Sequence, residues 1–466
     1  MIYKPRTIKR MWDTWMFYHK GNYYLYYLAA EHGPGEGICL ATSADGVHWK
    51  EIGLIFAKAK DAQWLGSGSV WKSPSFRADR KFIMNFSEWR GPATDRGQQT
   101  IFFTESIDLI HWTRLGPEYE FKPDSRWYNI NQGNSSRWDC IYTIPRSGGG
   151  RYGYWTANPT LFQPGFGFGE SLDGLHWTAL TPALIEWGKV PKPASIEVGA
   201  VEKLAGRYYV MIGTRDYMGR RGMFQLVGSD PHGPFRPAAK NCRLLTSSGG
   251  DAMSYFTRFF PMPEGMLINH HSITRDNQSY FAPLKRAIVD KEGILRLGYW
   301  EGNEKLKGNV ITIRIPDSFR KANGKSIAIL DGIFDMQKGI ILEGTIVGSL
   351  IQKLARDYST IGFYIEENAR QGTAILLRPN GITEFGPIKV NGSGFCRDDQ
   401  IDRQLEIDGK CTFRLLVRHT LLEFYLNGLL IQCYSLPVET TGKVGLMFNP
   451  RMTNFENLAV YPMTLG

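Results

Sequence analysis

Ser43-Ala44-Asp45-Gly46-Val47-His48-Trp49 returns twice along the chain, as Ser106-Ile107-Asp108-Leu109-Ile110-His111-Trp112 and as Ser171-Leu172-Asp173-Gly174-Leu175-His176-Trp177. A worn fourth copy reads Gly228-Ser229-Asp230-Pro231-His232-Gly233-Pro234-Phe235. The copies fall ~60 residues apart, which suits one four-stranded propeller blade with generous loops. An Asp side chain accepts bonds from nearby backbone amides, so Asp45, Asp108 and Asp173 are expected to cap turns. The His and Trp of each copy are expected to plug the space between blades.

The residues ahead of each copy are also regular. An aromatic-rich strand comes first, at 23–28, 82–86, 152–155 and 208–212, and a second apolar strand follows at 38–41, 101–103, 166–168 and 223–227. A degenerate fifth unit occupies 256–260, 266–269, 280–284 and 294–298 and ends near Trp300. From about Gly308 the repeat is gone. Short strands are expected at 339–347, 360–365, 373–377, 412–417, 422–426 and 442–448, separated by turn signals such as Asp408-Gly409 and Asn427-Gly428. The expected fold is all-β: a five-bladed β-propeller over residues 1–305, a linker over 306–320 and a separate β-sandwich over 321–466.

Composition agrees with this reading. A chain of 466 residues is too long for one ordinary core. Its 13 Trp, 22 Tyr, 26 Phe and 51 Gly suit pleated surfaces joined by tight turns. The net charge of +10 is scattered; the nearest approach to a basic cluster is 215–221, so no nucleic-acid partner is expected. The six cysteines (Cys39, Cys140, Cys242, Cys396, Cys411, Cys433) form no CxxC pair, which argues against a zinc site or a disulfide framework. No apolar run approaches the ~18 residues of a membrane span. Residues 1–10 lack a signal-peptide core, so the protein is expected in the cytoplasm if Met1 is the native start, and outside the cell if a signal was removed.

Propeller blades lay their innermost strand along a central channel. Counting back from each aromatic strand gives the residue that opens it: Asp13, the acid-free segment Gly66-Ser67-Gly68-Ser69, Asp139, Glu197 and Asp251. Equivalent registers bring Asp13, Asp139 and Glu197 to one end of the channel, with Asp251 the weaker candidate. Like charges brought together keep one carboxyl protonated at neutral pH. Glycosidic cleavage needs that division between an acid and an ionised carboxylate. Trp12, Trp15, Trp71 and Trp138 stand beside these positions in sequence and are candidates for stacking on a sugar. Ser69 and Arg137 are candidate hydroxyl partners, and Arg137 could also fix Asp139 in its charged form. His270 and His271 are read as core or surface residues, with no metal or cofactor.

On these residues the chain resembles glycoside hydrolase family 32, the fructosidase and invertase group, and its five-bladed relatives in family 43. Trp12-Asp13 looks like that family's nucleophile segment, Gly66-Ser67-Gly68-Ser69 like its substrate-contacting Ser-Gly-Ser strand, Asp139 like its transition-state-stabilising Asp and Glu197 like its general acid/base. Phe281-Ala282-Pro283-Leu284-Lys285-Arg286 is similar to its last-blade segment. The departures are specific. The family's Arg-Asp-Pro reads Trp138-Asp139-Cys140 with Arg137 one place early, its Glu-Cys reads Glu197-Val198, and its first motif is reduced to Trp12-Asp13-Thr14. The resemblance implies a hydrolase that takes carbohydrate, with terminal β-fructofuranosyl units released by a retaining mechanism. An inverting arabinofuranosidase-like enzyme and a noncatalytic carbohydrate-binding propeller are the alternatives.

Overall fold

The structure, a computed structural model, describes residues 1–30, 36–90, 99–130, 137–161, 164–215, 219–239, 241–246, 252–322, 325–348, 361–378, 381–392, 394–403, 409–448 and 453–466. Asp251 and Asp408 lie outside the described residues.

Each Ser-x-Asp turn closes on its own backbone. Ser43 Oγ accepts from the Gly46 amide at 2.9 Å, and Asp45 Oδ1 accepts from the Val47 and His48 amides at 2.9 Å. Asp45 Oδ2 meets His48 Nδ1 at 2.8 Å. The turns at Asp108 and Asp173 repeat the pattern, with His contacts of 2.7 and 2.6 Å. Burial works against the charge on these acids, but the imidazole and amide bonds win: Asp173 is held at about 2, and Asp45 and Asp108 lie well below the ordinary carboxylate value.

The turn aromatics reach across to the preceding unit. Trp112 meets Tyr26 of the first unit at 6.1 Å, Trp177 meets Trp71 of the second at 6.2 Å, and Phe235 meets Phe166 of the third at 5.8 Å. Trp49, in the first unit, packs edge-on against Phe281 near the end of the repeat region at 5.3 Å. The last contact joins the two ends of the repeat region, giving a propeller-like ring.

Four of the units are sheets of their own. The first pairs Met11–His19, Asn22–Ala29, Gly37–Ser43 and Lys50–Ala57 in chain order. In the second, Ala62–Leu65 and Ser69–Lys72 share the inner edge of Phe82–Arg90, followed by Gln99–Ser106 and Thr113–Arg114. The third runs from Trp138–Pro145 through Arg151–Ala157 to Gly167–Ser171 and Thr178–Ala179, and the fourth from Glu197–Leu204 through Arg207–Arg215 to Arg221–Gly228 and Arg236–Pro237.

The expected fifth unit is not separate. Met253–Met262, Gly265–Ile273, Lys285–Val289 and Leu295–Tyr299 pair in order, and a single residue pair, Gly298 with Leu429, then joins them to the C-terminal half in one ten-stranded sheet. A seven-stranded sheet completes a sandwich-like pair around Phe363, Phe413, Phe424 and Leu446. The sandwich is therefore not detached from the repeat region. One core contains Leu284 and Tyr299 together with Ile341, Leu421 and Tyr425, and across it Lys285 Nζ donates to Glu423 Oε1 at 2.5 Å. After the short turn Glu301–Leu306 the chain runs beside the last strand, Ile311 N donating to Val460 O at 2.7 Å.

Trp49 is buried at the ring's closing contact. Trp49→Ala should cost about 3 kcal/mol of stability, the usual loss for a large buried aromatic, read from the urea midpoint. A change near zero would mean that this contact does not hold the ring.

Candidate active site

The inner strands bend at the same end of the ring. The pairing ladder skips Asp13 between Trp12 and Thr14 in the first unit, and it shifts between Asp139 and Tyr142 in the third. It shifts again between Val198 and Ala200 in the fourth unit and between Tyr255 and Arg258 in the fifth. Asp13, Cys140 and Phe256 take φ values of 29°, 42° and 55° at these bulges. Such backbone costs of order 1–3 kcal/mol for a non-glycine residue and persists where its surroundings enforce it. A bulge re-aims a side chain. Asp13 is itself the extra residue, whereas Asp139, Glu197 and Tyr255 stand just ahead of their bulges.

The acids meet around one guanidinium. Arg137 Nη2 donates to Asp139 Oδ2 at 2.8 Å and to Glu197 Oε1 at 2.6 Å, so a single nitrogen ties the third unit to the fourth. The Tyr255 hydroxyl, from the fifth unit, donates to Glu197 Oε2 at 2.6 Å. From the second unit, Ser87 Oγ donates to Asp139 Oδ1 at 2.5 Å and accepts from Gln99 Nε2 at 3.0 Å, and Gln99 Oε1 accepts the Trp138 amide at 3.0 Å. Asp13 is buried, and no described residue bonds its Oδ1.

Electrostatics separates the three carboxyl groups. Burial raises Asp13 well above its ordinary value, and the negative charges of Glu197 and Asp139 raise it further. Burial also lifts Asp139, against the pull of Arg137 and the Ser87 bond. Burial acts on Glu197 too, but the Arg137 charge and the Tyr255 bond overcome it, and Glu197 sits below its ordinary value. The two ends of the site are thus pushed in opposite directions, Asp13 toward holding a proton and Glu197 toward its charged form.

Two glycines let the second unit approach this cluster. A Cβ on Gly66 would stand 2.5 Å from Asp139 Oδ1 and 2.3 Å from Ser87 Oγ, and one on Gly68 would stand 1.7 Å from the Asn85 carbonyl oxygen. No side chain fits at either position. The Gly66 position is also 2.7 Å from the ring of Trp64, which pairs with Trp89 at 5.4 Å, both half-buried.

Arg137 thus joins two of the predicted acids, Asp139 and Glu197, with Asp13 close enough to feel their charge, and Trp12 stays half-buried next to Asp13, with Arg10 over its ring at 5.2 Å and His271 at 5.7 Å. The other expected sugar contacts lie elsewhere. Trp15 is 1% exposed and stacks on Tyr26, and Trp71 is 2% exposed between Phe103 and Trp177. Trp138 is wholly buried among Phe121, Tyr128 and Trp155. Ser69 Oγ donates to the Ile141 carbonyl and accepts from Asn85, which makes it a staple between the second and third units. Tyr255, Ser87, Gln99 and Trp64 went unnoticed in the sequence. A parity count could have found Ser87 and Tyr255, but neither lies in a motif.

His270, Glu423 and Cys433 bring ligand-type atoms within 4.8 Å of one another. The Lys285 ammonium, 2.5 Å from Glu423 Oε1, and the Tyr425 hydroxyl, 2.6 Å from Oε2, already satisfy that carboxylate. A cleft of about 1080 Å³ lies at the other end of the first unit, where Lys4, Arg6, Lys9, Lys50 and Arg418 surround Glu51. It holds no carboxyl pair.

No protein-family profile and no curated protein sequence matches this chain. Solved structures do. A family 32 β-fructofuranosidase from Bombyx mori superposes with a TM-score of 0.72 at 13% identity, over 99% of this chain and 93% of that one. The fructan 1-exohydrolase IIa of Cichorium intybus gives 0.71 at 12% identity, over 99% and 96%. The sucrose-6-phosphate hydrolase of Lactobacillus gasseri gives 0.69 at 14% identity, over 97% and 91%. The chain has the family 32 fold. At this level of identity the family 32 likeness is one of architecture, extending over propeller and sandwich together.

Deeper along the inner strands of this family 32 fold, the Tyr142 hydroxyl lies 2.8 Å from Glu202 Oε1 and 3.1 Å from the Phe259 carbonyl oxygen. One hydroxyl proton divided between two acceptors only partly offsets the cost of burying the Glu202 charge. Burial accordingly raises Glu202 to about 7. A carboxyl raised in the folded state stabilises most below its unfolded value, and that contribution is lost as pH rises through about 7. Glu202→Gln should match the wild-type Tm near pH 4 and exceed it increasingly toward pH 8. Equal Tm values at both pH values would contradict the assignment.

Proposed function

We propose that the chain is a glycoside hydrolase that releases terminal β-fructofuranosyl, or similar furanosyl, residues from oligo- or polysaccharides with retention of configuration. The observation that carries this is the joining of Asp139 and Glu197 by Arg137 beside the buried Asp13. The shared architecture supports it, since the three solved enzymes are by name a fructofuranosidase, a fructan exohydrolase and a sucrose-6-phosphate hydrolase. On this reading Met253–Met262 and the three strands that follow it count as a fifth blade, and the sandwich serves as support.

The chemistry is a double displacement. The Asp13 carboxylate attacks the anomeric carbon while Glu197 protonates the leaving oxygen. Glu197 then takes a proton from water, which attacks the glycosyl–Asp13 ester and frees the sugar. Asp139, held by Ser87 and Arg137, accepts hydroxyls of the ring. Trp12 and Trp64 are the half-buried aromatics near enough to flank it. The reaction needs the opposite bias, a protonated Glu197 and an ionised Asp13, so substrate has to reverse it. A sugar that draws Arg137 away from Glu197 removes that acid's counter-charge and raises its proton affinity as Asp13 gives its proton up. These steps call for no cofactor.

Asp13→Ala and Glu197→Ala should each lower hydrolysis of aryl β-fructofuranosides by at least ~10³-fold, with far-UV circular dichroism and Tm close to wild type. Near-normal activity in either variant overturns the assignment. NMR of the first-formed product should show the β anomer; an inverted product would favour the family 43-like alternative with Asp13 as general base.

A further inference from the structure

Arg258 is 1% exposed, and no described residue accepts a hydrogen bond from its Nε, Nη1 or Nη2. A guanidinium stays charged at any physiological pH. Burying it with no acceptor costs several kcal/mol unless another charge compensates. Its position is defined by the bulge in Met253–Met262: Tyr255 comes before the shift and Arg258 re-enters the ladder opposite Asn269. The extra residues let both side chains turn toward the other inner strands. The guanidinium carbon lies 4.5 Å from the Phe256 ring and 6.0 Å from the Tyr142 ring of the third unit.

Met253–Met262 packs directly on the strand that carries Asp13, and Asn269 Nδ2 bonds the Thr14 carbonyl and hydroxyl at 3.1 and 3.0 Å. Asp13 Oδ1 is the matching orphan, a buried carboxylate oxygen with no donor among the described residues. We infer that Arg258 is the counter-charge that Asp13 meets when it ionises, a positioning residue that lowers the nucleophile's proton affinity. The inference rests on the reading of Asp13 as the nucleophile.

The other groups around Asp13 do not supply that charge. Glu197 of the fourth unit and Asp139 of the third are negative, and Arg137 is already shared between those two acids. Tyr255 donates to Glu197. His271, on the strand beside Met253–Met262, is kept neutral by burial, its pKa lowered to about 3. Arg10, just before Met11–His19, is bonded to Asn277 at 2.6 Å. The second unit brings glycine and serine at 66–69. Arg258 is the guanidinium left to neutralise Asp13, and of the two that lower its proton affinity it acts more strongly than Arg137.

The test titrates Asp13 directly. Carboxyl-¹³C NMR on aspartate-labelled protein, with the resonance assigned through Asp13→Asn, gives the Asp13 midpoint in wild type, Arg258→Met and Arg258→Lys. Loss of a nearby opposite charge raises a carboxylate by about 1–3 units. The Asp13 midpoint should rise by at least ~1 unit in Arg258→Met and return most of the way in Arg258→Lys. In the active protein the acidic limb of kcat should shift by the same amount with KM little changed. A folded Arg258→Met with an unmoved Asp13 midpoint overturns the inference. Should Arg258→Met not fold, Arg258→Gln decides: it keeps a polar group without the charge, so its Asp13 midpoint should rise by at least ~1 unit, and a wild-type value overturns the inference. Because the titration does not depend on turnover, a shifted midpoint in a protein that hydrolyses nothing would sink the enzymatic reading and leave the electrostatic pairing standing.

Discussion

Two carboxylates that share one nitrogen of Arg137, with a third buried beside them, set the terms for the rest of this molecule. Like charges at such range repel strongly in a poorly hydrated interior. They stay together because each comes from a different unit, and because the ring is locked by turn aromatics that grip the neighbouring unit. The backbone bulges belong to the same bargain: strained φ at Asp13, Cys140 and Phe256 is held by the ring's packing and serves to aim side chains at one place.

The same logic orders the polar groups along the inner strands. Arg137, Asp139, Glu197 and Tyr255 gather at the bulges; the Arg258 guanidinium lies over the Tyr142 ring, and further along the strands Tyr142 donates to Glu202, whose proton stays bound up to about neutral pH. Asp139 and Glu197 are held by groups drawn from the second, third and fifth units, Ser87, Arg137 and Tyr255, so the site and the ring are parts of one electrostatic arrangement. The fifth unit matters doubly. It supplies Tyr255 and Arg258, and its continuity with the C-terminal sheet anchors it through Gly298 and the Lys285–Glu423 pair.

The turn motif was legible in sequence because its hydrogen bonds are local: Ser and Asp must stand two apart for their oxygens to reach the next amides. The three acids were legible because they open strands that precede an aromatic hairpin. Trp138 misled for a simple geometric reason. Neighbouring residues in a strand face opposite ways, so Trp138, next to Asp139, points into the core, whereas Arg137 and Asp139, two apart, point together. Trp64 reaches the cluster only because Gly66 lacks a side chain, which a repeat pattern does not reveal. The shared sheet was hidden as well, since it depends on a single residue pair 131 positions apart, Gly298 with Leu429. Strands such as Leu429–Ser435 and Thr453–Pro462 also escaped the expected set, the first merging with its hairpin partner and the second reading as polar.

For this chemistry one furanose ring has to contact all three acids at once. A crystal structure of the Asp13→Asn protein with a bound fructoside asks that directly. The expected complex has the ring hydroxyls on Asp139, the glycosidic oxygen within hydrogen-bond reach of Glu197 and the anomeric carbon facing residue 13. A sugar seated instead in the basic cleft around Glu51, with the three acids still bonded only to one another and to Arg137, would contradict it.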